Sequence, residues 1–425
     1  MNTTTKYKTY PKYKPSYIDW LGNIPESWGF KRLRFLAAIH KGKKPDENTK
    51  SNDGLPYLTM DFLRGQQEPI KYIPSQNSVI VGDNEILVLW DGANAGEFVK
   101  STKGILSSTM ARTCFAFRKL DSNYCFYFLK SFEKKLKELT IGMGIPHVNG
   151  GIIKDCLTLI PSDKEQHAIV AFLDRETAKI DEALSKKQHL LDLLREKRQA
   201  LITHAVTKGL DPKAKMKPSG IEWLGNIPEG WEAKRIKMLC KIARGASPRP
   251  IDDEKYFSDN GDYAWVRIAD LTTSERYLEI TTQKLSDLGK SLSVPLEPGE
   301  IFLSIAGTVG SPIITKIKCC IHDGFVYFKN LKYNRELLWY IFIAGEAYKG
   351  LGKLGTQLNL NTDTVGNISI PIMKEREQRE IVDFLDRETG KIDKVLKKIE
   401  SQIEKLQEYR KVLITSAVIG KIMVN

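Results

Sequence analysis

The residues that could carry a reaction are present in this chain but badly spaced for one. Gly350-Leu-Gly-Lys-Leu-Gly355 matches G-x-G-x-x-G letter for letter. It follows a helical stretch rather than a strand, and no clear βαβ unit surrounds it, so it reads as a turn or as part of a DNA-facing loop and not as a pyrophosphate cradle. Gly289-Lys-Ser291 has Lys284 where a phosphate-binding loop needs its first glycine. Neither His-Glu-x-x-His nor the Asn-Pro-Pro-Tyr or Asp-Pro-Pro-Tyr of amino-methyltransferases occurs. Pro45-Asp46 meets no Asp/Glu-x-Lys before Glu133-Lys134-Lys135, a poor spacing for the paired carboxylates of a metal-dependent nuclease. The histidines are scattered, and Cys114, Cys125, Cys156, Cys240, Cys319 and Cys320 form no Cys-x-x-Cys pair. They read as buried or incidental thiols rather than zinc ligands or disulfides. The expectation is a chain with no catalytic residues, no metal and no cofactor of its own.

A second set of residues suits recognition. Lys and Arg number 65 against 52 Asp and Glu, a formal charge of +13, which favours a polyanionic partner. Loops between short strand-like runs carry residue types that contact phosphates and base edges. In the first half these are Lys41, Lys43, Lys44, Arg64, Asn94, Arg112, His147 and Asn149, and in the second Arg244, Arg249, Arg267, Thr308, Gln357, Asn359 and Asn361. Asp91-Gly-Ala-Asn-Ala-Gly96 and Ala306-Gly-Thr-Val-Gly310 follow corresponding strands and form a pair of candidate loops.

These loops sit in a chain that is written twice. Pro15-Ser-Tyr-Ile-Asp-Trp-Leu-Gly-Asn-Ile-Pro-Glu-Ser-Trp28 returns as Pro218-Ser-Gly-Ile-Glu-Trp-Leu-Gly-Asn-Ile-Pro-Glu-Gly-Trp231, identical at 11 of 14 positions. Phe172-Leu-Asp-Arg-Glu-Thr-Ala-Lys-Ile-Asp181 returns as Phe384-Leu-Asp-Arg-Glu-Thr-Gly-Lys-Ile-Asp393. The interiors between these brackets, roughly 30–163 and 233–374, have little in common. Constant brackets suit two equivalent surfaces for one kind of partner, and divergent interiors suit two surfaces that read different things.

The interiors punctuate Glu85-Ile-Leu-Val-Leu-Trp90, Arg112-Thr-Cys-Phe-Ala-Phe117, Glu300-Ile-Phe-Leu-Ser-Ile305 and Phe325-Val-Tyr-Phe328 with Gly, Pro and Asn, the pattern of short strands. Helices are expected over 124–139 and 336–348. After each interior the period becomes helical. One seam runs through Leu173, Thr177, Ile180, Leu184, Lys187, Leu191, Leu194, Arg198, Leu201 and Ala205. The other runs through Leu385, Thr389, Ile392, Leu396, Ile399, Ile403, Leu406, Arg410, Leu413 and Ala417. Each is about 50 Å of helix. Gly209 and Pro212 stop the first, and a pseudo-twofold between the halves makes the two stripes an antiparallel coiled coil, with Lys187 an imperfection opposite in kind to Ile399. Arg198 and Arg410 hold matching seam positions and mark either register or a partner contact. The fold class is therefore α+β: two α/β recognition domains with curved sheets joined by two long helices, divided as 1–163, 164–210, 211–375 and 376–425. No run approaches the roughly 20 apolar residues of a membrane span, and a cytoplasmic protein without an export signal is expected.

The brackets carry a family resemblance. Ile24-Pro-Glu-Ser-Trp28 and Ile227-Pro-Glu-Gly-Trp231 open the modules, each followed by a basic and apolar start, Lys31-Arg-Leu33 and Lys234-Arg-Ile236. Ile160-Pro161 with Glu165-Gln166, and Ile370-Pro371 with Glu377-Gln378, close them. In that order they resemble the specificity subunit of type I restriction–modification systems over nearly the whole chain. The resemblance implies two target-recognition domains, each reading half of a bipartite double-stranded DNA site, with the helical pair as a ruler. It implies assembly with two methyltransferase subunits and with restriction subunits, which would supply the chemistry of S-adenosylmethionine, ATP and magnesium. It also implies that the repeated helices hold the methyltransferase subunits through Asp174, Arg175, Glu176, Asp386, Arg387 and Glu388. A stand-alone DNA-binding or anti-restriction protein, without a methyltransferase, is the competing reading.

Overall fold

Two helices of 46 and 44 residues, Asp163–Lys208 and Glu375–Val418, organise everything else. The first starts at a capping box: the Glu165 carboxylate accepts the Ser162 amide at 3.1 Å, and the Ser162 hydroxyl accepts the Glu165 amide at 3.4 Å, which satisfies donors that a helix start leaves orphaned. Gly209, at φ 75°, ends it, and Gly420, at φ 74°, stands just past the end of the second; a left-handed residue is what glycine tolerates best.

The computed structural model describes residues 7–44, 54–69, 72–73, 78–115, 120–139, 146–271, 275–349, 351, 353–354, 357–358 and 360–424. Contacts group the chain into two units, Met1–Gln188 with Glu400–Asn425, and His189–Ile399, so that each unit owns one half of each long helix.

In the first unit the helix stretches run antiparallel. The Arg410 guanidinium donates to both oxygens of Asp181 at 2.8 and 3.1 Å, and Lys187 donates to Gln402 at 2.6 Å, so numbers fall on one helix as they rise on the other. In the second unit Arg198 grips both oxygens of Asp393 at 2.8 and 3.3 Å. The two seam arginines therefore fix register within the chain. Lys187 is accommodated by a polar partner, whereas Ile399 is buried. Apolar residues of the seam close against each unit's core: Leu173, Leu413 and Ala417 in the first, Ala205, Leu385 and the neighbouring Ile202 and Val206 in the second.

Each unit carries an α+β module. In the first, Ala37–Lys41, Met110–Phe115, Ile86–Leu89 and Phe98–Lys100 form an antiparallel sheet in that order, beside a smaller sheet containing Leu55–Leu58 and Gly104–Leu106. In the second, Lys241–Arg244, Phe325–Lys329, Ile301–Ser304, Pro312–Thr315 and Tyr277–Leu278 make five strands, with Tyr263–Val266 and Cys319–Ile321 central to another four. All four residues of Ile86–Leu89 and of Ile301–Ser304 are buried, because these strands are covered on both faces and so read as continuous apolar runs. The expected helix over 124–139 is Ser122–Glu138, capped by Asp121. Its counterpart over 336–348 is shorter: Arg335–Ile343 ends, Gly345 turns the chain, and a 3-10 turn Glu346–Tyr348 follows. Among the described residues no helix is long and apolar enough to cross a membrane.

The brackets form a frame. Gly29–Arg32 pairs with Leu157–Ile160, and Glu232–Arg235 with Ser369–Ile372. The buried indoles of Trp28 and Trp231 donate to Glu165 at 3.1 Å and Glu377 at 2.9 Å, so the first bracket of each module is bonded to its last. The Gln166 and Gln378 side chains do the same work twice over, each accepting the amide ahead of the module's helix (Asp121, 2.8 Å; Asn334, 2.9 Å) and donating to a carbonyl of the closing segment (Pro161, 3.0 Å; Met373, 3.0 Å).

Candidate nucleic-acid interface

The sheet edges place one basic turn at the same point of each module. Lys41 and Arg244 end equivalent strands, opposite Ala111 and Val326. The next residues, Gly42 and Gly245, donate their amides to Met110 and Phe325, each at 2.9 Å. They pass so close to the facing chain that a Cβ would lie 2.1 Å from the Ser107 carbonyl oxygen and 2.2 Å from that of His322. Only glycine allows that approach.

In the first module the turn joins a second loop. The Lys41 ammonium lies 2.9 Å from the Asp91 carboxylate and 5.8 Å from the Trp90 ring centroid. Asp91 pairs with His147 in an isolated bridge, the Gly92 amide donates to Pro146 at 3.0 Å, and the Val148 amide donates to Trp90 at 2.9 Å. Lys41, Asn94, His147 and Asn149 are thus brought to one place, with Lys43 and Lys44 exposed alongside. Asn149 caps Gly150–Asp155 by accepting the Gly151 amide at 2.8 Å. Arg64 is tied to Glu97, next to the same loop. Arg112 is turned into the fold: it donates to the Ile80 carbonyl at 3.2 Å and lies 3.7 Å from Glu85, its Nε buried without a partner.

In the second module Arg244 donates to the Asp323 carbonyl and Arg249 to the Asp323 carboxylate at 2.8 Å, while the Ser247 hydroxyl donates to the other carboxylate oxygen at 2.9 Å. Partial burial opposes ionisation of Asp323, but the Ser247 hydroxyl and the Arg249 guanidinium outweigh it and hold the carboxyl below its ordinary range. Burial lowers the pKa of the adjacent His322, whose Nδ1 accepts the Gly324 amide at 2.7 Å. The paired loops correspond: the Trp90 and Ile305 amides donate to Thr109 and Gly324, and the Gly96 and Gly310 amides to Leu89 and Ser304. Thr308 belongs to the second of them, which Tyr348 pins through the Gly310 carbonyl at 2.8 Å. Arg267 is held beside Thr282, its Nε buried without a partner. Asn361 forms a capping box with Thr364. Gln357 lies on the short strand Gln357–Leu358, and Asn359, Asp46 and the three glycines of Gly350–Gly355 lie outside the described residues.

Asp174 and Asp386 have inward duties. Each accepts a tyrosine hydroxyl, from Tyr127 and Tyr340, at 2.6 Å. Burial and that carboxylate push both phenols up to about 12. Asp386 also takes Arg276 at 2.6 Å. The neighbouring Arg175 and Glu176, 2.9 Å apart, and Arg387 and Glu388, also 2.9 Å apart, repeat each other on the exposed face of the long helices. Sequence reasoning missed Asp323, Ser247 and Trp90. It also missed Phe35 and Met238, matched apolar residues that are 72% and 69% exposed; the shared basic and apolar start of the modules was the available signal. The six cysteines are free thiols, and burial raises the pKa of Cys319 to about 12 and of Cys320 to about 11.

A duplicated frame carrying two different loop sets defines a class of two-headed recognition proteins, and the comparisons with known proteins say which. The family model for the type I restriction modification DNA specificity domain matches residues 25–190 and again 228–405. This chain belongs to that family. It is 30% identical over 430 residues to the type I restriction enzyme MjaVIII specificity subunit of Methanocaldococcus jannaschii, covering 95% of this chain and 94% of that one. It is 22% identical to the EcoDI specificity subunit of Escherichia coli over 94% of this chain and 90% of that one. In fold it is similar to a solved chain of a type I R-M system described for its complex assembly and conformational transition, at TM-score 0.72 and 17% identity, covering 94% of this chain and 99% of that one. It is a DNA specificity subunit of a restriction–modification system.

Proposed function

We propose that the two modules read different halves of one bipartite double-stranded DNA site, and that the chain contributes recognition alone. The observation that carries this reading is the contrast between a frame repeated to the hydrogen bond (Trp28 with Glu165, Trp231 with Glu377) and loops that share a position but not their side chains. The first module would use Lys41, Lys43, Lys44, Asn94 and His147, and the second Arg244, Arg249 and Thr308. Two methyltransferase subunits would dock on the repeated Arg175-Glu176 and Arg387-Glu388 faces, and restriction subunits on the assembled complex. Adenine methylation with S-adenosylmethionine and ATP-driven restriction with magnesium would reside in those partners, in the cytoplasm. The test is methylome sequencing of cells that carry the whole system with residues 30–163 exchanged for another such module. One half of the methylated site should change; a change in both halves refutes the division. The purified chain, incubated alone with DNA, magnesium and S-adenosylmethionine, should neither cut nor methylate.

A further inference from the structure

The basic turns of the two modules leave the same strand at the same glycine and then differ in chemistry. The first continues as Lys43 and Lys44, and the second as Ala246-Ser-Pro-Arg249. The close approach of Gly42 to Ser107 and of Gly245 to His322 aligns Ser108 with Asp323, so the first module has no carboxylate where the second has Asp323.

Everything around Arg249 restrains it. Its carbonyl accepts the hydroxyl of the buried Tyr256 at 2.8 Å. Its Nη2 donates to Asp323 Oδ2 at 2.8 Å. Ser247 holds Asp323 from the other side, donating to Oδ1 at 2.9 Å while its hydroxyl accepts the Asp323 amide at 3.4 Å. Yet the Arg249 side chain is 69% exposed, and an ion pair that open adds little to folding. What the arrangement achieves is aim: Nη2 of the guanidinium is held by Asp323 while the side chain stays largely exposed. A planar fork with two parallel donors matches the O6 and N7 acceptors of guanine in the major groove, a match no ammonium can make. Fixing it before DNA arrives also lowers the ordering cost of binding.

We propose that Arg249 reads a guanine in the half-site taken by the second module, with Asp323 and Ser247 as positioning residues that aim its guanidinium. The lysines at the corresponding turn of the first module give point charges suited to phosphates, so the two turns do different work. This inference rests on the half-site reading above.

The experiment uses the complete complex with its methyltransferase partner and duplexes carrying its methylated site. Each guanine of the second half-site is replaced in turn by 7-deazaguanine, which removes the N7 acceptor. The wild-type complex should lose about tenfold in affinity at one guanine. R249A should lose a similar factor on the unmodified duplex and no longer sense that substitution, and R249K should not restore the response. D323N and S247A should retain the position sensed but shrink the ratio between guanine and 7-deazaguanine, which a merely structural role would leave alone. The inference is overturned if no guanine of that half-site responds in the wild-type complex, a result that does not depend on any variant folding, or if R249A responds as the wild type does. A blank scan beside intact methylation of a two-part site sinks the Arg249 assignment alone. A complex that selects no two-part site sinks the half-site reading itself.

Discussion

Replacing Gly245 with alanine tests whether the basic turn is held by backbone contact. The new Cβ would stand 2.2 Å from the His322 oxygen and 2.6 Å from that of Ile321, against roughly 3.2 Å for a comfortable carbon–oxygen contact, so the turn must retreat by about 1 Å. Both obstacles are backbone of the strand Cys319–Ile321 and the residue after it, and neither can swing aside. Retreat breaks the bond from Gly245 to Phe325 at 2.9 Å and strains that from Ala246 to Ile321 at 3.1 Å. Two backbone hydrogen bonds at about 1 kcal/mol each, with residual overpacking, give a loss of about 2–3 kcal/mol, well below the 5–15 kcal/mol that holds a domain folded. A unit of this size should lower its Tm by about 4–12 °C. The complex should therefore assemble and still methylate, with selectivity relaxed in the second half-site only. G42A should relax the first half-site only. An unchanged methylation motif together with an unchanged melting curve for G245A would refute the reasoning.

The coil clasps should be modest and local. R410A or D181A should cost about 1 kcal/mol by urea denaturation, with a coupling of similar size in the double-mutant cycle, because the partners are 31% and 52% exposed. The latch is stronger: W231F removes an indole donor to a carboxylate and opens a void in a buried site, so a loss of about 3 kcal/mol is expected, and E377Q should lose less in the W231F background than alone. Burial and the Asp174 and Asp386 carboxylates push the phenols of Tyr127 and Tyr340 up to about 12 in the folded chain, from an ordinary value of 10.0. Their stabilisation is complete below pH 10 and disappears as pH rises toward 12, and Y340F should flatten that part of a stability profile. Affinity of the complex for DNA should fall steeply between low and physiological salt, since phosphate neutralisation releases counterions; a flat salt response would count against a phosphate-tracking turn.

Much of the architecture was legible because the repeated residues are the ones that bond to each other. Trp28, Glu165 and Gln166 and their counterparts recur as letters since they recur as hydrogen bonds. The helical seams were legible from period alone, and the strands from their unbroken apolar runs. The surroundings of the candidate interface residues were less legible. Asn149 and Asn361 have the chemistry of base readers, but their side-chain oxygens cap helices, a use that looks identical in a sequence. Arg112 sits on a strand at a position that alternation alone does not assign, and the structure spends it on Ile80 and Glu85. The Asp323 clamp was invisible because its partners lie 74 and 76 residues away, across a sheet whose register no local pattern sets.

The same distinction explains how such a protein can change what it reads without losing its fold. Each of the frame's bonds has at least one partner outside the divergent interior: an indole bonds to a helix carboxylate, Gln166 takes an amide of the module, and a module tyrosine bonds to Asp174 or Asp386. The residues proposed to read DNA contribute little to those bonds. Lys41 and Arg249 are 48% and 69% exposed and pair with carboxylates that are themselves partly exposed, so replacing them costs little stability. Where stability and recognition draw on separate residues, loops can be exchanged freely while the strand ends, the two glycines and the bracket bonds stay constant, and selection can act on the DNA sequence read without first repairing the fold.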